Sequence, residues 1–217
     1  MATNGAKSIL SLSRSGNHSK KATEFVEEMK AAGVHVETPA CDITDIAVLR
    51  HTLSSVADRM PPLKGCIHAA MVIRDNLFTS MTQDDWNAAL SPKIIGSWNL
   101  HECLPIDLDF FIMLASVSGT IGSSGQANYA AGNTYQDSLA AYRIAHGQKA
   151  VSLDLSVMQE DGYFVDHKDA LEQYLRIKKF SAHDAEKSIH CARALLQSNI
   201  ESGKYHRAGH HGPVIAS

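Results

Sequence analysis

Ser116, Tyr129 and Asn133 stand at the spacing S-x12-Y-x3-N within the stretch from Phe110 to Arg143, FFIMLASVSGTIGSSGQANYAAGNTYQDSLAAYR. Serine and tyrosine hydroxyls both donate hydrogen bonds, and a tyrosine and an asparagine four apart share one helix face. A hydroxyl presented by a loop and a phenol presented by a helix can therefore meet over a single ligand atom. Lys93 is the other residue out of pattern. It follows Pro92 on an otherwise apolar surface, so its ammonium either snorkels to solvent or has a task inside. Singly, a Ser/Gly loop is a turn and a helix tyrosine is packing; the combination is what points to a site.

The elements that must position these residues are legible. Phe110 to Leu114 is an apolar run between Asp109 and a Ser/Gly segment, which predicts a strand buried on both faces, as in a parallel sheet. The loop after it lies at the strand's carboxyl end, where ligands bind in open α/β sheets. Upstream, Ser8 to Ser13 predicts a strand feeding the turn Arg14-Ser15-Gly16, and Lys20 to Ala32 a helix capped by Asn17 or Ser19. Val34 to Pro39 is a second strand, Asp45 to Met60 a helix, and Gly65 to Ala70 a third strand. Thr82 with Asp85 forms a capping pattern ahead of a long helix whose face carries Trp86, Leu90, Ile94, Trp98 and Leu100. Val151 to Leu155 is the last clear strand. The β-α alternation predicts a parallel sheet covered by helices.

The 217 residues suffice for one sizeable domain or most of one, and 44% apolar with 20% charged residues are globular values. A net charge of −3 without a basic cluster argues against nucleic acid as a partner. Cys41, Cys66, Cys103 and Cys191 lie far apart with no C-x-x-C pair, which suggests reduced thiols rather than a zinc ribbon or disulfide framework. No apolar run approaches the roughly 20 residues that cross a bilayer, and Lys7 before Ile9-Leu10 is too little for a signal peptide. The expectation is a cytoplasmic chain with no membrane partner. His206, His210 and His211 lack cysteine or carboxylate spacing, so no metal site is expected in Tyr205 to Ser217, which reads as a loose tail.

S-x12-Y-x3-N across strand, loop and helix resembles the active-site segment of the short-chain dehydrogenase/reductase superfamily. FIMLASVSGTIGSSGQANYAAGNTYQDSLAAYR is more closely similar to the ketoreductase (KR) domain of a polyketide synthase, of the fungal highly reducing kind, and the likeness runs from about Ser8 to Phe180. The resemblance implies a Rossmann-like doubly wound parallel sheet and four catalytic residues: Lys93, Ser116, Tyr129 and Asn133. Most of the superfamily has lysine four after the tyrosine. Here YAAGN puts Asn133 there and PKIIGSWNLH carries Lys93, as in ketoreductases, where lysine and asparagine have exchanged helices. The implied cofactor is NADPH. Arg14 in LSRSG is set to meet the adenosine 2′-phosphate, which a planar bidentate donor fits; Asp42 and Ile43 lie beside the adenine, and His68, Ala69 and Ala70 line the ribose and nicotinamide. Asp75 in VIRDN resembles the aspartate tied to one stereochemical class. Ser156 replaces a glycine of the family near the nicotinamide, and Asp161 to Phe180 resembles a lid over the substrate.

The implied reaction is reduction of a β-ketoacyl thioester tethered to an acyl carrier protein, in secondary metabolite biosynthesis beside other synthase domains. Hydride addition leaves negative charge on the carbonyl oxygen, so donors are needed where that charge appears. Ser116 and Tyr129 would supply them, Lys93 would favour the phenolate, and Asn133 would hold a water or Lys93 in line. The resemblance also implies a gap. A dinucleotide fold opens with a strand and G-x-G-x-x-G, whose amides hold the pyrophosphate, yet the sequence meets what resembles the second strand at once. The sheet is thus expected to lack its first strand and Gly-rich loop, as in an N-terminally truncated domain, with NADPH binding impaired. That strand is central in the order 3-2-1-4-5-6, so its place must close, be filled by a terminus folding in, or be filled by another chain. Residues 1–180 are expected to form a partial ketoreductase domain and 181–217 a divergent C-terminal helix and tail. Two alternatives stay open: a noncatalytic fragment or pseudoenzyme, and a free-standing short-chain reductase of a small carbonyl compound.

Overall fold

The computed structural model describes residues 5–155 and 214–216. The chain runs β1 (Ser8–Ser11), α1 (Lys20–Ala31), β2 (His35–Glu37), α2 (Ile46–Ala57), β3 (Gly65–His68), α3 (Gln83–Ser91), a π-helical turn (Pro92–Gly96), α4 (Ser97–Cys103), β4 (Phe110–Ser116), α5 (Ser118–Ile121), α6 (Ala127–Ala145), β5 (Val151–Leu155) and β6 (Val214–Ala216). All strand pairs are parallel, in the order β2-β1-β6-β3-β4-β5.

Local chemistry sets the boundaries. Ser19 caps α1 by accepting from Ala22 N, and Asp45 caps α2 by accepting from Ala47 N and Val48 N. Thr82 and Asp85 form the expected capping box at α3, each side chain accepting from the other's backbone N–H. The strand residues alternate between two cores, as a sheet with helices on both faces requires. Ile9 packs with Val26, Val34 and Val36 under α1, while Leu10 joins Leu49, Leu100, Phe111, Met113 and Leu139 beneath α2, α4 and α6. The doubly wound α/β expectation is met.

The long helix expected after Thr82 is broken at one point. Proline removes a backbone donor and crowds the preceding turn, and the ladder widens to one π turn at Pro92, as such insertions do near functional sites. Of the expected apolar face, Leu100 is buried and Trp86, Leu90 and Ile94 are half-buried. Trp98 is exposed, whereas Ala89, Pro92, Lys93, Gly96, Ser97 and Leu100 are buried. Small residues face inward because α6 comes close: a Cβ on Gly132 would lie 3.1 Å from Lys93 Cβ.

The centre of the sheet corrects the tail expectation. Val214–Ala216 lies between β1 and β3, pairing Ile9 with Val214 and Leu10 with Ile215 on one side, and Gly65 with Val214 and Cys66 with Ile215 on the other. The place expected to lack a strand is filled from the far end of the sequence, so β1 and β3 do not face each other as unpaired apolar edges. The expected lid from Asp161 to Phe180, Ser156, the helix beyond Ser181 and the tail histidines lie outside the described residues.

Candidate active site

β4 delivers Ser116 at its carboxyl end. Ser116 Oγ accepts from Ser118 N at 3.3 Å, which turns the chain into α5. Tyr129 sits in the first turn of α6, half-buried, with its hydroxyl 3.8 Å from Met71 Sδ. Asn133, one turn on, is fully buried; its Nδ2 donates to Tyr129 O at 2.8 Å and to Ser118 Oγ at 3.4 Å, and its Oδ1 is a buried acceptor with no hydrogen-bond partner among the described residues. That orphan acceptor suits a water or a donor group at the site. Asn133 thereby ties the serine loop to the tyrosine helix.

Lys93 answers the alternative posed by its sequence context: it does not snorkel. It is 1% exposed, and its ammonium donates to the Leu114 carbonyl and to Gln136 Oε1, each at 3.0 Å. Nζ lies 5.4 Å from the centroid of the Tyr129 ring, within range of a cation–π contact. Burial pulls the ammonium down to about 8, against a smaller opposing pull from Asp137. The acceptors given to Lys93 are therefore the Leu114 carbonyl and Gln136; of the two parts expected of Asn133, holding a water or holding Lys93, its Oδ1, unpartnered among the described residues, leaves room for the first. Gln136 was missed. Its signal was present, since position 136 is seven after Tyr129 and falls on the same face as Tyr129 and Asn133.

A cavity of about 430 Å³ opens beside these residues at the carboxyl ends of β1, β2 and β3, lined among others by Arg14, Asp42, Ile43, Ala70, Met71 and Pro92. Arg14 stands exposed at the rim on a turn closed by Gly16 N donating to Ser13 O at 3.2 Å. Gly16 has φ of +59°, and a Cβ there would meet Thr38 O at 3.0 Å, so any other residue would be strained at this turn. Asp42 Oδ1 accepts from Thr44 N at 2.9 Å and from Thr44 Oγ1 at 2.7 Å, fixing the carboxylate at the cavity wall.

His68 points the other way. Its side chain is fully buried and Nε2–H donates to Pro92 O at 3.0 Å. Burial, then the Lys93 charge, push it down to about 4, so the ring is neutral and ties β3 to the π turn. Any part His68 has in holding a cofactor belongs to its backbone, and Ala69 next to it is exposed. The structure thus gathers Arg14, Asp42, Ile43 and Ala70 at one cavity, and Lys93, Ser116, Tyr129 and Asn133 around the β4 end, with Met71 touching both.

The cavity brings the exposed Arg14 guanidinium, a group able to meet a phosphate, to the same wall as the Asp42 carboxylate, an acceptor for a hydroxyl or amino group. Among the described residues no group of His, Cys, Asp and Glu could hold a metal ion, and no helix is long and apolar enough to cross a membrane.

Residues 1–160 match the family model described as KR domain. The chain is 45% identical over 182 residues to highly reducing polyketide synthase 40 of Fusarium mangiferae, covering 84% of this chain and 7% of that protein. It is 49% identical over 181 residues to the reducing polyketide synthase pksF of Alternaria solani, covering 82% and 8%. Among solved structures it is similar to the ketoreductase from the first module of phoslactomycin biosynthesis in Streptomyces sp. HK803, with 33% identity and a TM-score of 0.77 over 98% of this chain and 46% of that one. An A-type ketoreductase from a modular polyketide synthase gives a TM-score of 0.84 at 28% identity, over 91% and 42%. The chain spans under a tenth of the length of these two synthases and under half of these two solved chains.

Proposed function

From the premise that the chain belongs to the KR domain family, we propose that it serves the β-keto reduction step of a fungal highly reducing polyketide synthase, turning a carrier-bound β-ketoacyl thioester into the β-hydroxyacyl form with NADPH. The single observation that carries this reading is the meeting of four elements at one point: the buried ammonium of Lys93 lies under the Tyr129 ring, and Asn133 joins Tyr129 to the Ser118 turn beside Ser116. Bound NADPH would supply the hydride. Arg14 would hold its 2′-phosphate, Asp42 and Ile43 the adenosine end, and the backbone around Ala70 the ribose.

The chain's own residues account for the remaining chemistry. Ser116 and Tyr129 hydroxyls would donate to the ketone oxygen as charge gathers there. Tyr129 gives up its proton to that oxygen, and a Lys93 cation beneath the ring favours the phenolate left behind. Asn133 Oδ1 would hold a water that returns the proton. An acyl carrier protein and neighbouring synthase domains would be the partners, since the two polyketide synthases above are far longer than this chain, which matches a small part of each.

A noncatalytic relative is the second reading, favoured by the occupant of the sheet centre. Val214–Ala216, from the far end of the sequence, stands where dinucleotide folds place the strand that leads into their phosphate-binding turn. NADPH oxidation followed with a β-ketoacyl thioester and with a free small ketone, beside a direct NADPH titration, separates the readings. Turnover of the thioester supports the proposal. Turnover of only the free ketone points to a free-standing reductase, and no binding with no turnover to the noncatalytic relative.

A further inference from the structure

We propose that Gln136 is a positioning residue that holds the Lys93 ammonium in place and charged through a neutral acceptor, its amide anchored at the other end by Ser97. Gln136 is fully buried on α6. Its Nε2 donates to Ser97 Oγ at 3.2 Å, which leaves Oε1 facing Lys93 Nζ at 3.0 Å. Turned over, the amide would set an NH2 against an ammonium, donor against donor. The Lys93 ammonium, a donor only, removes that choice, and the Ser97 hydroxyl accepts from the Nε2 at the other end of the amide. One further protein acceptor, the Leu114 carbonyl, holds the same ammonium at 3.0 Å.

The chemistry of the acceptor matters as much as its position. A buried lysine needs hydrogen-bond acceptors or it sheds its proton. A hydrocarbon at position 136 would leave the ammonium with less than it needs, and a carboxylate would bind it as an ion pair and hold its proton far into the alkaline range. An amide oxygen lies between, and keeps the lysine charged but able to respond to what happens at Tyr129. The charged and titratable groups around Lys93 are Asp137 on α6, which opposes proton loss at longer range, His68 on β3, which is neutral, and Tyr129 itself. The meaning for turnover rests on the ketoreductase reading, whereas the control of Lys93 by Gln136 does not.

The test uses the full chain with isotope-labelled lysine, following the Lys93 side-chain resonance, assigned by its loss in Lys93→Met, from pH 6 to 11. Gln136→Leu is expected to lower the Lys93 midpoint by about one pH unit or more, and Gln136→Glu to raise it by a similar amount. Ser97→Ala, which removes the acceptor that anchors the Gln136 Nε2, should lower it by less. Backbone amide spectra report whether each variant is folded, and the isosteric Gln136→Glu keeps the test open if Gln136→Leu is not. A midpoint that stays put in every folded variant overturns the proposal. Shifted midpoints in a chain that never oxidises NADPH would uphold Gln136 and sink the ketoreductase reading, while turnover with unmoved midpoints would do the reverse.

Discussion

Burial sets the protonation of the two titratable side chains behind the site. Lys93 is pulled down to about 8 and His68 to about 4, in both cases chiefly because charge is costly away from water. If the Lys93 cation assists Tyr129, reduction should fall as pH rises through about 8, and Lys93→Arg, which keeps its charge, should move that fall to higher pH. His68 gives a stability test. Between about 4 and 6.5 the unfolded chain binds a proton that the folded chain refuses, so stability should rise with pH across that window, by about 3 kcal/mol in all. Denaturant titrations of His68→Gln, which keeps an N–H for Pro92 O, should lose that slope. Tyr129, Ser116 and Asn133 stood out by their spacing taken with the likeness to ketoreductases, and Lys93 needed that likeness to rise above a snorkelling lysine. Gln136 escaped because a buried glutamine reads as an ordinary helix residue until the ammonium it faces is known.

At the scale of elements, the decisive contact is α6 against the π turn. Pro92 opens the helix ladder and Gly132 lets α6 close in, so that the Lys93 stem runs between them toward Tyr129. A Cβ at position 132 would lie 3.1 Å from Lys93 Cβ and 3.2 Å from Lys93 Cδ. Alanine is worth about 1 kcal/mol over glycine inside a helix, which offsets part of the crowding. Gly132→Ala should therefore leave the thermal midpoint within a few degrees while activity drops by about tenfold or more, since small misplacements at a reacting centre are costly. A parallel loss of stability and activity would mean that the glycine serves packing alone. The helix over Gln83–Cys103 was predicted as one piece from its apolar residues, and its break was marked in the sequence by Pro92. Of its expected inward face only Trp98 turned out exposed, and periodicity, which finds large apolar residues, passed over the small ones packed beside Leu100.

For the whole molecule, the parallel, helix-covered sheet followed from the β-α alternation and its strand order from the family likeness, but the identity of the central strand did not. Val-Ile-Ala after Gly212-Pro213 is too short to announce itself, and only the vacancy implied by the family likeness said that a strand was owed. β6 is hydrogen-bonded on both sides, to β1 and to β3, so proline within it deletes a ladder donor at the centre of the sheet. Ile215→Pro should cost about 2 kcal/mol or more, roughly 4–8 °C in Tm for a chain of this size. An unchanged Tm would show that β1 and β3 do not depend on this segment.

The claim that stands behind the functional reading is that Tyr129 hands its proton to a ketone oxygen. Its most direct test is NADPH oxidation with a β-ketoacyl thioester by the wild-type chain and by Tyr129→Phe, with circular dichroism to establish that both are folded. Loss of the phenol should lower kcat by about 10²–10⁴-fold with the fold intact; turnover undiminished in the folded variant would contradict it.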